Sequence, residues 1–257
     1  MKKFNTYGSE FSKVYDRFWK GFVNQIGPKL VKLYKNYPIS KTNKIVVDLC
    51  CGTGRLIPSF IDAGYNVIGI DQSENMLELA KSKLRSEMNT GQVSLRHGFA
   101  QSFTVEKPVG LVISIFDSLN HLENLEILKC CIDLVFSSLE SGGVFIFDMN
   151  TKKALSDWNF IDLEEDDDIV VMTQGKYEES ESRAYTRVFG FIRSDGSLFS
   201  KFDEIMYNSL FSINNVTKLL LEAGFININF YKETNFEEKF LGDPETLDRV
   251  FISCTKF

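Results

Sequence analysis

The stretch Lys44-Ile-Val-Val-Asp-Leu-Cys-Cys-Gly-Thr-Gly54, followed by Asn66-Val-Ile-Gly-Ile-Asp71, decides the fold of this chain. It consists of an apolar run, a glycine-containing turn that opens a helix, and a second apolar run that ends in a carboxylate. This order predicts two parallel strands joined by a helix, with a ligand site at their carboxyl ends. Gly52 and Gly54 carry no Cβ and allow a ligand close to the backbone. Asp71 ends the second strand, where its carboxylate can accept both hydroxyls of a ribose.

The same alternation of strands and helices continues along the chain. Ser73 is the predicted N-cap of one helix, and Ser141-Gly142-Gly143 is a predicted turn. Further strands are predicted at 45–49, 65–70, 93–96, 109–115, 144–148, 225–231 and 250–255, and helices at 55–63, 73–88, 122–139 and 213–223. We therefore predict an α/β fold, with a Rossmann-like sheet covered by helices on both faces.

Two segments lie outside this pattern. Residues 10–36 have apolar side chains at a spacing of three to four, which predicts an amphipathic helix that breaks at Gly27-Pro28. We expect residues 1–43 to form a helical lid. Residues 159–211 are rich in β-branched and aromatic residues with a hairpin signal at 194–197, which predicts a small antiparallel β insertion. The acidic run 164–168 is interpreted as a solvated linker rather than a metal site.

Composition limits the classes of function. The chain has 257 residues, a net charge of -6 and a pI near 5.2, which argues against binding to duplex DNA or to an anionic membrane. The basic start Met1-Lys-Lys is followed by no apolar h-region, and no apolar run reaches the roughly 18 residues of a spanning helix. We therefore expect a cytoplasmic protein. Its five cysteines fit neither a disulfide framework nor a zinc site. Asp148-Met-Asn150 is not accompanied by a second carboxylate triad at a strand end, so no metal is expected.

The glycine-containing turn has two possible interpretations, as a binding site for a dinucleotide or for a nucleoside derivative. A dinucleotide-binding turn requires G-x-G-x-x-G, but Ile57 stands at the third glycine position. Asp48 beside the turn would also repel a pyrophosphate, whereas it could orient an ammonium group through an ordered water. A nucleoside joined to a cationic amino acid suits these residues better, and S-adenosylmethionine has that chemistry.

At these two motifs the chain resembles the class I S-adenosylmethionine-dependent methyltransferases. The resemblance covers residues 10–150 and the last two strands. It implies S-adenosylmethionine as cofactor and the following cofactor-binding residues: Tyr15, Trp19, Asp48, Cys50, Gly52, Gly54, Asp71, Gln72, Met76, Phe99, Ala100, Gln101 and Ile115. Met76 could pack on the adenine or belong to the core. The family usually has an Asp at the place of Phe99, so adenine would be held here by Phe99 stacking, the Ala100 N–H or Gln101.

The segment 115–122 resembles small-molecule members, including sugar N-methyltransferases, in which a His at the place of His121 faces the substrate amine. Residues 14–19 resemble their N-terminal segment, with Trp19 where those enzymes have a functional Tyr. The resemblance implies that His121 is the catalytic proton acceptor or substrate orienter, and that Trp19 stacks on the methyl donor or walls off the acceptor. The alternatives are that His121 caps the following helix and that Trp19 is a core residue. Asp117 and Asn120 could bind substrate or serve only as turn residues.

We therefore predict a methyltransferase that moves a methyl group from S-adenosylmethionine to N or O of a small-molecule acceptor. Residues 44–158 and 212–257 would form the methyltransferase domain, and 159–211 the roof of the acceptor pocket. No nucleic-acid or membrane partner is expected, and both a monomer and a homodimer remain open. A non-catalytic cofactor-binding or regulatory protein and a protein methyltransferase are the alternatives.

Overall fold

The computed structural model describes residues 7–233 and 235–257, without the side chain of Lys20. Residues 1–6 of the predicted lid lie outside the described residues. The helices are α1 Ser9–Phe18, α2 Lys20–Lys35, α3 Ile39–Thr42, α4 Ile57–Ile61, α5 Glu74–Lys83, α6 Arg85–Asn89, α7 Leu125–Ser138, α8 Lys152–Ser156 and α9 Ile213–Ala223. The strands are β1 Ile45–Leu49, β2 Asn66–Asp71, β3 Val93–His97, β4 Val109–Ser114, β5 Leu139–Asn150, β6 Phe160–Glu165, β7 Ile169–Glu178, β8 Arg183–Asp195, β9 Leu198–Ser209, β10 Phe225–Lys232 and β11 Arg249–Lys256.

The central sheet has seven strands in the order β10-β11-β5-β4-β1-β2-β3. Strands β5, β4, β1, β2 and β3 are mutually parallel, and β11 runs antiparallel to both of its neighbours. One apolar core joins α7 and α9 to one face of the sheet, and a second joins α2, α3 and α4 to the other face. The predicted α/β sheet with helices on both faces is confirmed.

A second sheet of four antiparallel strands, β6-β7-β8-β9, lies between β5 and α9 in the chain. Its apolar residues Val171, Val188 and Met206 pack with Phe11 and Val14 of α1 in a third core. Met76 of α5 belongs to the same core, so α1 packs against both the second sheet and α5. The predicted antiparallel element is confirmed.

The break in the N-terminal helix was predicted at the wrong residue. Helix α1 ends at Phe18, Trp19 leaves the helical conformation, and α2 continues through Gly27 and Pro28. A Cβ at Gly27 would lie 2.5 Å from Ser59 Oγ, so this glycine allows α2 to approach α4 closely. Close packing between helices, rather than a turn, accounts for the glycine.

Two other boundaries differ from the predictions. The helix predicted at 73–88 is divided at Leu84, which leaves the helical conformation between α5 and α6. The predicted turn around Gly142 lies inside β5, where the register against β4 shifts, because Leu139 pairs with Val109 and Val144 with Leu111. The extra residues are accommodated as a bulge with Gly142 at a φ of +79°.

The acidic run is not a linker. Its first two residues belong to β6, and its last three form the turn to β7. In that turn Asp166 and Asp168 pair with Arg17 of α1 at 2.6 and 3.4 Å, and Asp168 also pairs with Arg193 at 2.9 Å. Within residues 7–233 and 235–257, no helix is both long and apolar enough to cross a membrane.

Candidate active site

A cavity of about 680 Å³ opens at the carboxyl ends of β1, β2 and β4, below α1 and the second sheet. Ten of the predicted site residues line it: Tyr15, Trp19, Cys50, Gly52, Asp71, Gln72, Met76, Ala100, Gln101 and His121. Asp48, Gly54, Phe99 and Ile115 are not among its lining residues. The cavity is continuous from the glycine-containing turn to His121, so two ligands can meet inside it.

The turn after β1 holds its backbone in the left-handed region. Cys50, Gly52 and Gly54 have φ values of +62°, +54° and +72°. Around Gly52 a Cβ would meet only Tyr15 Cε1, at 4.0 Å, on the cavity side. At Gly54 a Cβ would lie 2.9 Å from Leu84 Cδ1, so this glycine serves the packing of α5 rather than an open ligand face.

Asp71 connects this turn to the start of α5. Its Oδ2 accepts a hydrogen bond from Gly52 N at 2.7 Å, and its Oδ1 accepts one from Ser73 N at 2.8 Å. Burial raises the pKa of the Asp71 carboxyl, although the two backbone N–H groups oppose that effect. Each carboxylate oxygen has a further lone pair, so Asp71 can still accept hydroxyl groups from the cavity.

Asp48 lies beneath the turn, 3% exposed. Its Oδ2 has no hydrogen-bond partner among the described residues. Burial first, and the nearby Asp71 second, raise the pKa of Asp48 to about 8. One oxygen of this carboxyl group is therefore free to bond a ligand or an ordered water, and the contact with a cationic ligand group stays a prediction.

The candidates for adenine binding are divided between the cavity and the surface. Phe99 is 43% exposed and packs edge-on against His97, at a centroid distance of 5.7 Å. Ala100 and Gln101 face the cavity. Ile115 is buried in the core under α2, and Met76 is 2% exposed and packs with α1 while also lining the cavity.

His121 ends a short 3-10 turn, Ser118–His121, that follows β4. Its Nδ1 lies 2.7 Å from the Tyr207 carbonyl oxygen, which can only accept a hydrogen bond. The neutral imidazole therefore carries its proton on Nδ1, and Nε2 keeps its lone pair. His121 does not cap α7, because Asn124 does so by accepting a hydrogen bond from Ile127 N.

Tyr7 stands opposite His121, with its hydroxyl 3.5 Å from Nε2. Burial raises the pKa of Tyr7 well above its usual value, so the hydroxyl stays protonated and acts as a donor. The backbone next to Tyr7 is held by Glu204 of β9, whose two carboxylate oxygens accept hydrogen bonds from Gly8 N at 2.9 and 3.1 Å. The Tyr7 carbonyl oxygen also accepts from Ser73 Oγ at 3.0 Å. Sequence reasoning missed Tyr7 and Glu204, because neither lies in a recognisable motif.

Near His121 lies an ion-paired cluster of Arg249, Asp117 and Asp148. The sequence analysis named Asp117 but missed Arg249. Arg249 lines the cavity and pairs with Asp117 at 2.8 Å and with Asp148. Asn120 is fully buried, and its side chain binds the Asn150 and Ser209 backbone. Asn120 thus joins three elements and does not face a substrate. The sequence did contain a signal for this cluster, because Arg249 directly precedes the apolar run 250–255.

Comparisons with known proteins agree with this geometry. Residues 46–143 match the family model described as a methyltransferase domain. The chain is 31% identical over 166 residues to a demethylmenaquinone methyltransferase of Leptospira interrogans, which covers 58% of this chain and 61% of that protein.

Two solved structures share the fold over nearly the whole chain. One is an S-adenosylmethionine-dependent methyltransferase of Clostridium acetobutylicum, with a TM-score of 0.74, 23% identity, and coverage of 96% of this chain and 98% of that one. The other is CalS10, an amino pentose methyltransferase of Micromonospora echinaspora with S-adenosylmethionine bound, with a TM-score of 0.72, 16% identity, and coverage of 98% and 99%. The fold is thus that of the class I methyltransferases. Residues 46–143 therefore form a methyltransferase domain, within a chain that has the fold of S-adenosylmethionine-dependent methyltransferases.

Proposed function

We propose that this enzyme methylates nitrogen or oxygen of a small-molecule acceptor, with the cofactor beside the glycine-containing turn and the acceptor beneath the second sheet. The observation that carries the proposal is the continuous cavity, which connects Asp71 and Gly52 at one end to His121 at the other. The matched relatives point the same way, since they are named for demethylmenaquinone and amino pentose methylation.

The cofactor-binding roles follow from the chemistry of the residues. Asp71 would accept the ribose hydroxyls through the lone pairs that its two backbone contacts leave free. The Ala100 N–H and Gln101 side chain would hold the adenine, while Phe99 would cover its edge. Cys50 and Gly52 would surround the amino-acid end, with Asp48 and Gly54 supporting the turn from behind. Tyr15, Trp19 and Met76 would form the apolar part of the enclosure, Gln72 would add a polar side chain, and Ile115 would support the site from the core.

When bound, S-adenosylmethionine supplies a methyl group on a positively charged sulfur. The protein's task is to align the acceptor, exclude water and accept a proton. His121 Nε2 has a free lone pair because the Tyr207 carbonyl oxygen holds the proton on Nδ1. The acceptor N–H or O–H would take the place of the Tyr7 hydroxyl at Nε2 and give up its proton there.

The lid and the roof complete the proposal. Residues 7–43 would cover the cofactor, since Tyr15 and Trp19 line the cavity. Residues 159–211 would close the acceptor end, where Trp158 and Phe160 meet at a centroid distance of 5.4 Å and Trp158 Nε1 donates to Thr186 Oγ1 at 2.9 Å. This anchored edge-to-face aromatic pair offers an apolar wall to an acceptor.

The cofactor assignment is tested by calorimetric titration with S-adenosylmethionine, S-adenosylhomocysteine and NAD. We expect binding of the first two and not of NAD. Asp71→Ala should weaken binding by about 100-fold, since it removes two charge-assisted hydrogen bonds to ribose. Asp71→Asn is the milder control, because an amide oxygen still accepts one bond. Unchanged affinity in Asp71→Ala would contradict the ribose role.

The acceptor assignment is tested by transfer of a labelled methyl group to a panel of small amines and alcohols. A mixture of folded proteins and an RNA sample are assayed in parallel as alternative substrates. We expect turnover on a small molecule and a loss of about 100-fold in His121→Asn, in line with the usual contribution of general base catalysis. His97→Asn is the matched control, because His97 instead bonds the Gln72 carbonyl oxygen. Turnover on protein alone would overturn the small-molecule proposal.

A further inference from the structure

Arg249 is a largely buried cation that lies beside a pair of packed aromatic rings. It opens β11, and its side chain is 17% exposed. The guanidinium carbon lies 5.1 Å from the centroid of Phe22 in α2 and 5.7 Å from that of Phe116, which follows β4. These contacts hold the guanidinium against the aromatic pair at the wall of the cavity.

Both terminal nitrogens of Arg249 are already engaged by carboxylates. Nη2 lies 2.8 Å from Asp117 Oδ1, and Nη1 contacts Asp148 Oδ2. Its Nε is 4.0 Å from Glu233. Arg249 is therefore committed to the protein and does not offer a free positive charge to a ligand.

The residue that receives Arg249 has an unusual backbone. Phe116 and Asp117 are consecutive non-glycine residues with φ values of +67° and +47°. Such conformations persist only where surrounding contacts determine them. Three hydrogen bonds hold Asp117 in addition to its ion pair with Arg249. Its N donates to Asp148 Oδ2 at 3.0 Å, and its carbonyl oxygen accepts from Asn120 N at 2.9 Å. Its Oδ2 accepts from Asn208 Nδ2 at 2.6 Å.

The 3-10 turn that carries His121 starts directly from Asp117, which occupies its N-cap position. The direction of this turn decides whether His121 Nδ1 reaches the Tyr207 carbonyl oxygen. A change in the Asp117 backbone would therefore be transmitted over four residues to the imidazole. The cluster therefore connects the start of β11 to the imidazole of His121 without contacting that imidazole.

We infer that Arg249 is a positioning residue, which holds Asp117 in its left-handed conformation and thereby sets the orientation and tautomer of His121. This inference rests on the proposed role of His121 for its catalytic meaning, but the geometric effect does not depend on any acceptor. Lys at this position would keep the charge yet cannot bridge both carboxylates with a planar fork.

The test is nitrogen NMR of the imidazoles in the full chain, saturated with S-adenosylhomocysteine. The chain has two histidines, so His121→Asn assigns both sets of signals. In the wild type we expect His121 to show a proton on Nδ1. In Arg249→Met we expect the pattern of a free imidazole that exchanges between tautomers, while the His97 signals stay unchanged.

Arg187→Met is the matched control. Arg187 pairs with Asp203 at 2.5 Å and lies 4.4 Å from the Phe189 ring, so it has the same types of contact on the second sheet. We expect its His121 signals to equal those of the wild type. If Arg249→Met fails to fold, Arg249→Lys is measured instead. We expect its His121 to lose the Nδ1-protonated pattern in the same way.

A double-mutant comparison tests the route through Asp117. Asp117→Ala should give the free-imidazole pattern by itself, and adding Arg249→Lys should change it no further. A His121 pattern that stays as in the wild type in folded Arg249→Met or Arg249→Lys would overturn the inference. So would a further change in the double variant. Failure of the wild type to bind S-adenosylhomocysteine would instead reject the proposed function, which separates the two.

Discussion

Asp48 and Asp71 are carboxyl groups at neighbouring strand ends, and their surroundings give them different properties. Asp71 receives two backbone N–H groups, whereas Asp48 Oδ2 has no partner among the described residues. The pKa of Asp48 is about 8 in the folded protein and near 4 in an unfolded chain. Between these values the folded state holds a proton that the unfolded state has lost, so stability falls as pH rises through this window.

We expect Asp48→Asn to remove this pH dependence, because an amide does not titrate. The melting temperature of the variant, relative to the wild type, should rise between pH 5 and pH 8. Other groups, such as Asp148 with a pKa of about 6, titrate in both proteins and cancel in the difference. Thermal denaturation at the two pH values is the measurement, and a constant difference would contradict the Asp48 assignment.

The two glycines of the turn should respond differently to alanine. Both have positive φ, which costs an alanine about 1 kcal/mol. At Gly54 the new Cβ would also meet Leu84 and Ala80 at 2.9 and 3.3 Å, which adds an overpacking cost of about 1–3 kcal/mol. We expect Gly54→Ala to lower the free energy of unfolding more than Gly52→Ala in urea titrations.

Binding should show the reverse order, since Gly52 faces the cavity and Gly54 does not. Gly52→Ala should weaken S-adenosylhomocysteine binding more than Gly54→Ala does, when measured on the folded variants. For the free energy of unfolding, equal losses in Gly52→Ala and Gly54→Ala would contradict the prediction, because they would show that Leu84 and Ala80 shift to make room for the added methyl group.

At the scale of elements, α1 is held from two sides. Asp16 accepts from Thr53 Oγ1 and Lys83 Nζ, each at 2.6 Å, and pairs with Arg55 at 3.0 Å. Burial opposes ionisation, but the bonds from Lys83 and Thr53 outweigh it and lower the pKa of Asp16. On the opposite side, Arg17 reaches the turn between β6 and β7.

We expect Asp16→Ala to loosen α1 more than Arg17→Ala does. The Asp16 side chain is 24% exposed and that of Arg17 is 44% exposed, and exposed ion pairs contribute only about 0–1 kcal/mol. Hydrogen exchange of the α1 amides should therefore accelerate by about 10-fold in Asp16→Ala, as the loss of about 1.4 kcal/mol predicts, and by less in Arg17→Ala. Equal acceleration would show that both sides hold α1 equally.

The element boundaries show where local patterns reach their limit. Gly27-Pro28 has the composition of a helix break, yet α2 continues because Gly27 allows contact with Ser59 of α4. The run at 164–168 has the composition of a linker, yet its end is ordered by Arg17 and Arg193. In both cases a partner from another part of the chain decides the local conformation.

At the scale of the whole molecule, the second sheet shares one apolar cluster with α1 and α5 beside the cavity. Met76 of α5, Phe11 and Val14 of α1, and Val188 and Met206 of the second sheet pack together. Covering the cofactor end should therefore restrain α1 and, through it, the second sheet.

We expect S-adenosylhomocysteine to slow hydrogen exchange in the glycine-containing turn, in α1 and in β8–β9. At 100 times its dissociation constant it should raise the free energy of unfolding by about 2.7 kcal/mol. Strand β10, at the edge of the central sheet and with no residue lining the cavity, is the internal control. Protection confined to the turn and α5 would show that the second sheet responds independently.

The sequence alone determined the α/β class, most of the strands, the antiparallel element, the turn around Gly52 and the carboxylate of Asp71. These features depend on hydrophobic period and on residues a few positions apart, which local physics controls. Only the tertiary structure decided that Tyr7 faces His121, that Glu204 anchors Gly8 and that Arg249 joins Asp117. Those partners are separated by 114, 196 and 132 positions, so they meet only after the strands have taken their order in the two sheets.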